Sequence, residues 1–186
     1  HSFPTRRSSD LLMGLCDSYG FGMKIYRSRI VIYGIIGMEK KKAAATLKPS
    51  AFTDVSFTDG IYGTYTGARV SYRPPDADKD ISVFVGNKGE HAKGSRVLKV
   101  NESCSSEAEA RRKGAAAVNK SNMKATTLSG TMYPNPAICA GACIRLNDAF
   151  GKLSGKYFVD KITWDLGSGA TTQRIEAHKV KKKVNP

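Results

Sequence analysis

Apolar positions recur mostly at every second residue, in short runs separated by glycine, proline and asparagine, which is the pattern of short β-strands. The start of the chain differs. Leu12, Leu15, Cys16 and Tyr19 stand at helical spacing in LMGLCDSYG, and Gly20 is placed to cap the helix C-terminus. Two strands are predicted next, Phe21 to Tyr26 and Arg29 to Tyr33, joined by a tight Arg27-Ser28 turn. Glu39 to Lys48 is a connector whose KKKAAATL suits strand or helix. From Pro49 the chain reads as mostly β, with strands over Ala51 to Phe57, Ile61 to Tyr72, Ile81 to Val85 and Arg96 to Val100. Within the second of these, Tyr62, Thr64, Thr66, Ala68, Val70 and Tyr72 share one face, and Pro74-Pro75-Asp76 predicts a stiff turn.

One helix interrupts the strands. Ser106 and Glu109 form a capping box, in which the hydroxyl accepts from the Glu109 amide and the carboxylate reaches back. Ala108, Ala115 and Val118 make a thin apolar stripe, and Asn119 to Asn122 end the helix. So alanine-rich a helix is expected to pack closely on a sheet. The last third predicts hairpins: Met123 to Met132, Cys143 to Leu146, Lys156 to Trp164 and Thr171 to Val180, with turns at Pro134-Asn135-Pro136, Asp148 to Gly155 and Gly167-Ser168-Gly169. In Lys156 to Trp164, alternation puts Tyr157, Val159 and Lys161 on one side and Phe158, Ile162 and Trp164 nearer the other.

The fold class implied is mainly β (α+β), a small antiparallel β-barrel with one packed α-helix at about 106–121, preceded by a short α/β segment. Residues 1–11, HSFPTRRSSDL, resemble a translated sequencing adaptor and are expected to be a non-native leader to a chain that starts within a gene. The expected organisation is that leader, a partial α/β segment over 12–48, a barrel domain over 49–180 and a basic tail over 181–186.

The 186 residues are 40% hydrophobic and 25% charged, as in an ordinary globular protein that buries roughly 70% of its unfolded surface. The longest nearly uncharged apolar run, Ile30 to Met38, falls far short of the ~20 residues of a membrane-spanning helix, so no membrane insertion is expected. Thirty Lys and Arg stand against 16 Asp and Glu, a net charge of +14. Such an excess invites an anionic partner. The cations are spread out, with runs only at Lys40 to Lys42, Arg111 to Lys113 and Lys179 to Lys183, and no nucleic-acid motif accompanies them. Solvated faces and docking onto an acidic protein surface are the other readings of the same charge.

Little here suggests chemistry. Cys16, Cys104, Cys139 and Cys143 form neither a disulfide framework nor a tetrahedral zinc set, and reduced thiols point to assembly in a cytoplasm. The histidines His1, His91 and His178 are too dispersed for a nucleophile-base pair. Gly20-Phe21-Gly22 lacks the third glycine of a dinucleotide fingerprint. Asp76, Asp78 and Asp80 imitate a calcium loop, but Ile81 stands where glycine is needed and Asn87 where the bidentate Glu belongs. Tyr62, Tyr65 and Tyr72 are candidates to stack single-stranded bases. No catalytic, cofactor or metal residue is nominated, and no enzyme is expected.

A family resemblance carries the function. From Ser95 to Val180, the strand before Asn101-Glu102, the Ser106-Glu107-Ala108-Glu109-Ala110 helix opening and the Asn119 to Asn122 helix end occur in a specific order. They are followed by Asn135-Pro136, Ala140-Gly141, Gly151, and Gly155 to Val159 before a glycine-rich turn and the Thr171-Thr172 strand. In this order they resemble the C-terminal half of the phage late-control D family of tail hub proteins. Residues 12–34 are similar to the helix and two strands found earlier in the same proteins. Trp164-Asp165 departs from the pattern, standing where many relatives have a histidine. The resemblance implies a tail-tube-like barrel in a baseplate hub of a contractile tail. Such a hub is a homotrimer joining a six-fold tail tube to a three-fold central spike, with the tape-measure protein as a further partner and DNA passing through the lumen. Its place is the virion tail baseplate, assembled in the host cytoplasm. The alternative is a single-stranded nucleic-acid binding β-barrel.

Overall fold

The computed structural model describes residues 8–26, 28–73, 80–167 and 169–186. In chain order the elements are α1 (Ser8–Ser18), β1 (Phe21–Tyr26), β2 (Arg29–Gly34), α2 (Ile35–Glu39), β3 (Ala43–Leu47), β4 (Phe52–Asp59), β5 (Gly67–Tyr72), β6 (Ile81–Gly86), β7 (Val97–Asn101), α3 (Glu107–Met123), β8 (Thr126–Met132), β9 (Cys143–Leu146), β10 (Gly155–Asp165) and β11 (Thr172–Lys179). They form two compact units, one from His1–Ile35, Thr64–Ser121 and Lys183–Pro186, the other from Ile36–Gly63 and Asn122–Lys182. Residues 49–180, expected as one barrel domain, contribute to both units.

The first unit rests on helix α3 lying close against a three-stranded sheet of order β6-β5-β7. Alternation in β5 buries Ala68, Val70 and Tyr72, and Val83 and Val85 of β6 face the same way. The helix meets them with small residues, Ala110, Gly114, Ala115 and Val118. The approach is tight: a Cβ on Gly114 would stand 2.7 Å from Val70 Cγ2 and 2.9 Å from Val85 Cγ1. The close packing expected of an alanine-rich helix is present, though Ala110 takes the buried place assigned to Ala108, which is exposed. The helix also runs on to Met123, through the asparagines expected to end it. Asn119 is retained there because its side chain pairs with backbone. Its amide donates to the Val184 carbonyl at 2.9 Å, and its oxygen accepts from the Val184 N–H at 2.8 Å. Val184 is thereby buried among Ala68, Val85, Ala115 and Val118, so the expected basic tail carries a core residue.

The second unit is a six-stranded sheet of order β3-β9-β10-β11-β8-β4. Its core face carries Leu47, Leu128, Met132, Ile144, Leu146, Tyr157, Val159, Ile175 and Ala177. Phe150, on a 3-10 turn over Asp148–Leu153, closes the core edge-on against Phe52 and Phe57, with ring centroids 6.1 and 5.7 Å away. A bulge between Val159 and Lys161 resets the alternation of β10. Ile162 therefore joins Tyr157 and Val159 at the core, while Lys161 turns outward, the reverse of the simple period-two expectation.

The fold is mainly β with few helices. Among the described residues the strands do not close into the expected small antiparallel barrel. The sheet is a curled half-barrel whose outer strands β3 and β4 do not pair with each other, and the β3–β9 and β5–β7 pairs are parallel. Alternation tells which face of a strand is buried and is silent on which strand lies at its edge. Ile61 to Thr66, expected as strand, is irregular: Gly63 turns at φ 68° and the Tyr62 side chain is fully exposed. The Pro74-Pro75-Asp76 turn, and Asp76 and Asp78 of the calcium-like triplet, lie outside the described residues, as do Arg27 and Ser168 of the two predicted turns.

Gly114 supplies a test. On an exposed helix, alanine at this position would gain about 1 kcal/mol over glycine. Here Gly114→Ala pushes against Val70 and Val85, and we expect a net loss of roughly 1–3 kcal/mol, read as a lower midpoint in urea unfolding.

Candidate assembly surfaces

Strand pairing puts Phe21, Met23 and Ile25 of β1 on the same face as Ile30 and Ile32 of β2. This face is apolar throughout and largely uncovered: Ile25 is 60%, Ile30 53% and Ile32 50% exposed. The opposite face carries Lys24, Arg29, Val31 and Tyr33, with the Tyr33 ring lying over Gly22, where a Cβ would come within 2.6 Å of it. A two-stranded hairpin is marginal in water, and a contiguous apolar face of this kind marks an interaction surface.

The hairpin springs from an anchored base. Tyr19, just past α1, donates its hydroxyl to Glu109 Oε1 at 2.7 Å, and Lys120 donates to Asp17 Oδ2 at 2.7 Å. Gly20 turns at φ 75° against Ala116 of α3. Glu109 is also the capping residue. Its Oε2 accepts from the Ser105 amide and hydroxyl at 2.8 and 2.7 Å, and its own amide donates to Ser106 Oγ at 3.2 Å. The predicted box forms, with the carboxylate reaching one residue further back than expected. The Tyr19 hydroxyl first, then the Ser105 groups and Lys113, hold the Glu109 carboxyl far below the usual carboxylate range.

On the second unit, the sheet face away from the core carries a buried charged cluster. His178 of β11 and Glu39 of α2 are each 3% exposed. His178 Nε2 lies 2.8 Å from Glu39 Oε1, and Nδ1 lies 2.9 and 2.8 Å from the two oxygens of half-exposed Asp160. Phe158 packs beside the imidazole, 5.4 Å between ring centres. Burial alone lowers the imidazole pKa, but the hydrogen bonds to Asp160 and Glu39, and their charges, outweigh it and raise the value above the ordinary one. The group is an imidazole clasped by two carboxylates, which favour its protonated form. The Cys143 thiol, pushed up by burial, donates to the Met38 and Glu39 carbonyls at 3.5 Å, so α2 is held at two points. Beside the clasp a polar depression of about 410 Å³ is lined by Ser56, Thr58, Thr127, Ser129, Arg174 and Glu176.

Sequence reasoning missed the clasp. His178 is read from sequence only as too far from the other histidines for a nucleophile-base pair, and Glu39 stands 139 residues away, beyond any local spacing rule. The one available signal was a carboxylate at the end of the short apolar stretch Ile35 to Met38. A catalytic use does not follow, because both ring nitrogens are occupied by carboxylates and neither faces a hydroxyl or thiol nucleophile. Among the described residues no group of His, Cys, Asp and Glu is arranged to hold a metal ion, and no helix is long and apolar enough to cross a membrane. Asp80 of the calcium-like triplet is paired with Arg73 at 2.8 Å. The four cysteines are free thiols, Cys139 exposed and the others buried. The tyrosines form no stacking platform: Tyr72 is core, and Tyr62 and Tyr65 lie in an irregular segment.

Two titrations test these networks. The Glu109 carboxyl is depressed, so its contribution is full above its unfolded pKa of about 4.3 and fades as pH falls through the folded value. Glu109→Gln is expected to flatten the acid limb of the stability curve. His178 is raised, so its contribution is full below about 6.5 and fades as pH rises through the folded value. His178→Ala should cost roughly 3 kcal/mol at pH 6, by removing the imidazole held between Glu39 and Asp160, and the gap from wild type should narrow towards pH 9 in urea titrations.

No family model matches the chain, and no curated protein matches it. Solved structures do. The 43 kDa tail protein of prophage MuSo2 from Shewanella oneidensis matches with a TM-score of 0.71 and 14% identity, over 92% of this chain and 53% of that one. A tail protein from Neisseria meningitidis MC58 matches with a TM-score of 0.68 and 12% identity, over 91% and 54%. A chain of the native gene transfer agent virion matches with a TM-score of 0.58 and 16% identity, over 97% and 40%. The chain thus spans about half the length of the first two structures it matches, and its fold is one found in phage tail proteins.

Proposed function

We propose that the chain is a structural component of a phage or phage-like tail, the C-terminal part of a baseplate hub of the late-control D type. The observation that carries this reading is the uncovered apolar face of the β1–β2 hairpin, on a fold shared with tail proteins. A subunit that exposes Phe21, Ile25, Ile30 and Ile32 together is built to be covered by another chain. In the proposed assembly the occupant is a second copy. Three copies join the six-fold tail tube to the three-fold spike, with contacts of more than ~2,000 Å². The tube, the spike and the tape-measure protein are its partners, and DNA passes through the lumen. Its work is interface geometry rather than catalysis, and its place is the tail baseplate, assembled in the host cytoplasm.

The longer protein, restored to the length of the structural relatives, is expected to run as a trimer in light scattering and to cap purified tail tubes. Ile25→Asp with Ile32→Asp should leave the unfolding temperature of the present chain within about 3 °C and convert the longer protein to monomer. A trimer that survives both substitutions removes the hairpin from the interface. A wild-type monomer that ignores tubes and binds single-stranded DNA replaces the hub reading with the nucleic-acid one.

A further inference from the structure

Six cations elsewhere in the chain have carboxylate partners: Arg69 with Glu90, Arg73 with Asp80, Arg111 with Glu107, Lys113 with Glu109, Lys120 with Asp17 and Lys161 with Glu176. One region of the second unit gathers several cations that have none. Arg145 of β9 stands directly opposite Lys156 of β10, with Thr46 of β3 as its other neighbour. Like charges directly opposite on one sheet face destabilise the pair. Lys40, Lys41 and Lys42, all exposed, lead into β3 beside them. Lys156 and Lys41 both stand close enough to the Cys143 thiol to act on it electrostatically. The nearby carboxylates of Glu39 and Asp160 are turned to His178. Among the described residues none of these five cations has a carboxylate within ion-pair distance.

A second feature coincides with this charge. β3 is an outer strand of the six-stranded sheet, paired with β9 on one side and with no described strand on the other. An extended chain lying along that open side would be about 5 Å from β3 and about 10 Å from β9, within reach of Arg145 through a glutamate side chain. Open strand edges recruit extended segments through backbone hydrogen bonds, and side chains set the specificity.

We propose that the open edge of β3, with Lys40, Lys41, Lys42, Arg145 and Lys156, is a docking site for an extended acidic segment of a partner protein, added as a seventh strand. The backbone of β3 supplies the pairing, and Lys40, Lys41, Lys42 and Arg145 select carboxylates, with Lys156 behind them adding its charge. An extended strand is favoured over nucleic acid because the cations border a free backbone edge, and the tyrosines offered for base stacking lie elsewhere, in β5 or the irregular segment before it. This site does not depend on the hub assignment or on the hairpin face.

The probe is a labelled peptide of about eight residues alternating glutamate and valine, titrated by fluorescence anisotropy into the chain at about 0.15 M salt. Binding is expected. It should weaken tenfold or more when alternate backbone nitrogens of the peptide are methylated, which removes strand pairing and leaves the charge. Arg145→Glu turns the like-charge pair into a complementary one with Lys156. It should raise the unfolding temperature by about 2 °C while weakening the peptide tenfold or more. Lys41→Gln with Lys42→Gln gives the same loss of binding should Arg145→Glu fold poorly. Equal affinity for the methylated peptide, unchanged affinity in the charge variants, or tighter binding of oligothymidylate than of the peptide would each overturn the proposal.

Discussion

Each unit of this molecule is assembled from stretches of chain far apart in sequence, and nearly every feature of the fold answers to that constraint. The chain changes unit after residues 35, 63, 121 and 182. A core built this way cannot be completed locally, since loop closure is penalised before long-range contacts are made. The tightest packing accordingly occurs where distant segments meet. Gly114 admits Val70 and Val85 within van der Waals range of the α3 backbone, and Val184 is held in the same core by the two hydrogen bonds of Asn119, 65 residues away. In the other unit, the carboxylate of Glu39 and the imidazole of His178 bring together the start of one of its two segments and the end of the other.

What could be read from the residues follows the same division. Strands and the capped helix emerged from period and from caps, because those signals lie within a few residues of one another. β1 and β9 appear with the expected bounds. The expectations that failed concern information carried between segments. The bulge after Val159 reverses Lys161 and Ile162, and nothing in the local pattern of β10 announces it. Asn119 resembled a helix stop until its partner, the Val184 backbone, entered the account. Ile61 to Thr66 has the composition of a strand, yet Gly63 turns it at φ 68° and it forms a loop whose Thr66 exchanges backbone hydrogen bonds with Arg96 and Asn87. The hairpin face was present in the pattern as two apolar strands, but its exposure depends on what the rest of the chain fails to cover.

Electrostatics separate the cations that stabilise the fold from those that do not. Lys113 and Lys120 belong to the network that fixes α1 on α3, and Lys113 also donates to the Ser103 carbonyl at 2.7 Å. His178 is held within its unit by two carboxylates, whose hydrogen bonds and charges outweigh its desolvation and favour the protonated form. Arg145 and Lys156 have no comparable role in the fold and face each other across a ladder. The 30 cations are therefore not alike: some are neutralised pairwise, and Arg145 and Lys156 stand where they weaken the sheet that carries them.

Folding alone gives no reason to leave Ile25, Ile30 and Ile32 in water, or to oppose arginine with lysine at the sheet margin. Each lowers the stability of the isolated chain, the first by forgone apolar burial and the second by repulsion. Domains are marginally stable, so such costs are tolerated where an assembled state offsets them. The two features differ in the partner they demand. An apolar hairpin face is satisfied by any complementary apolar surface and suits a permanent subunit contact. A basic strand edge is satisfied only by an extended acidic chain, and salt can loosen it. A subunit carrying both can be held permanently at one surface and reversibly at the other, which is the division an ordered assembly requires.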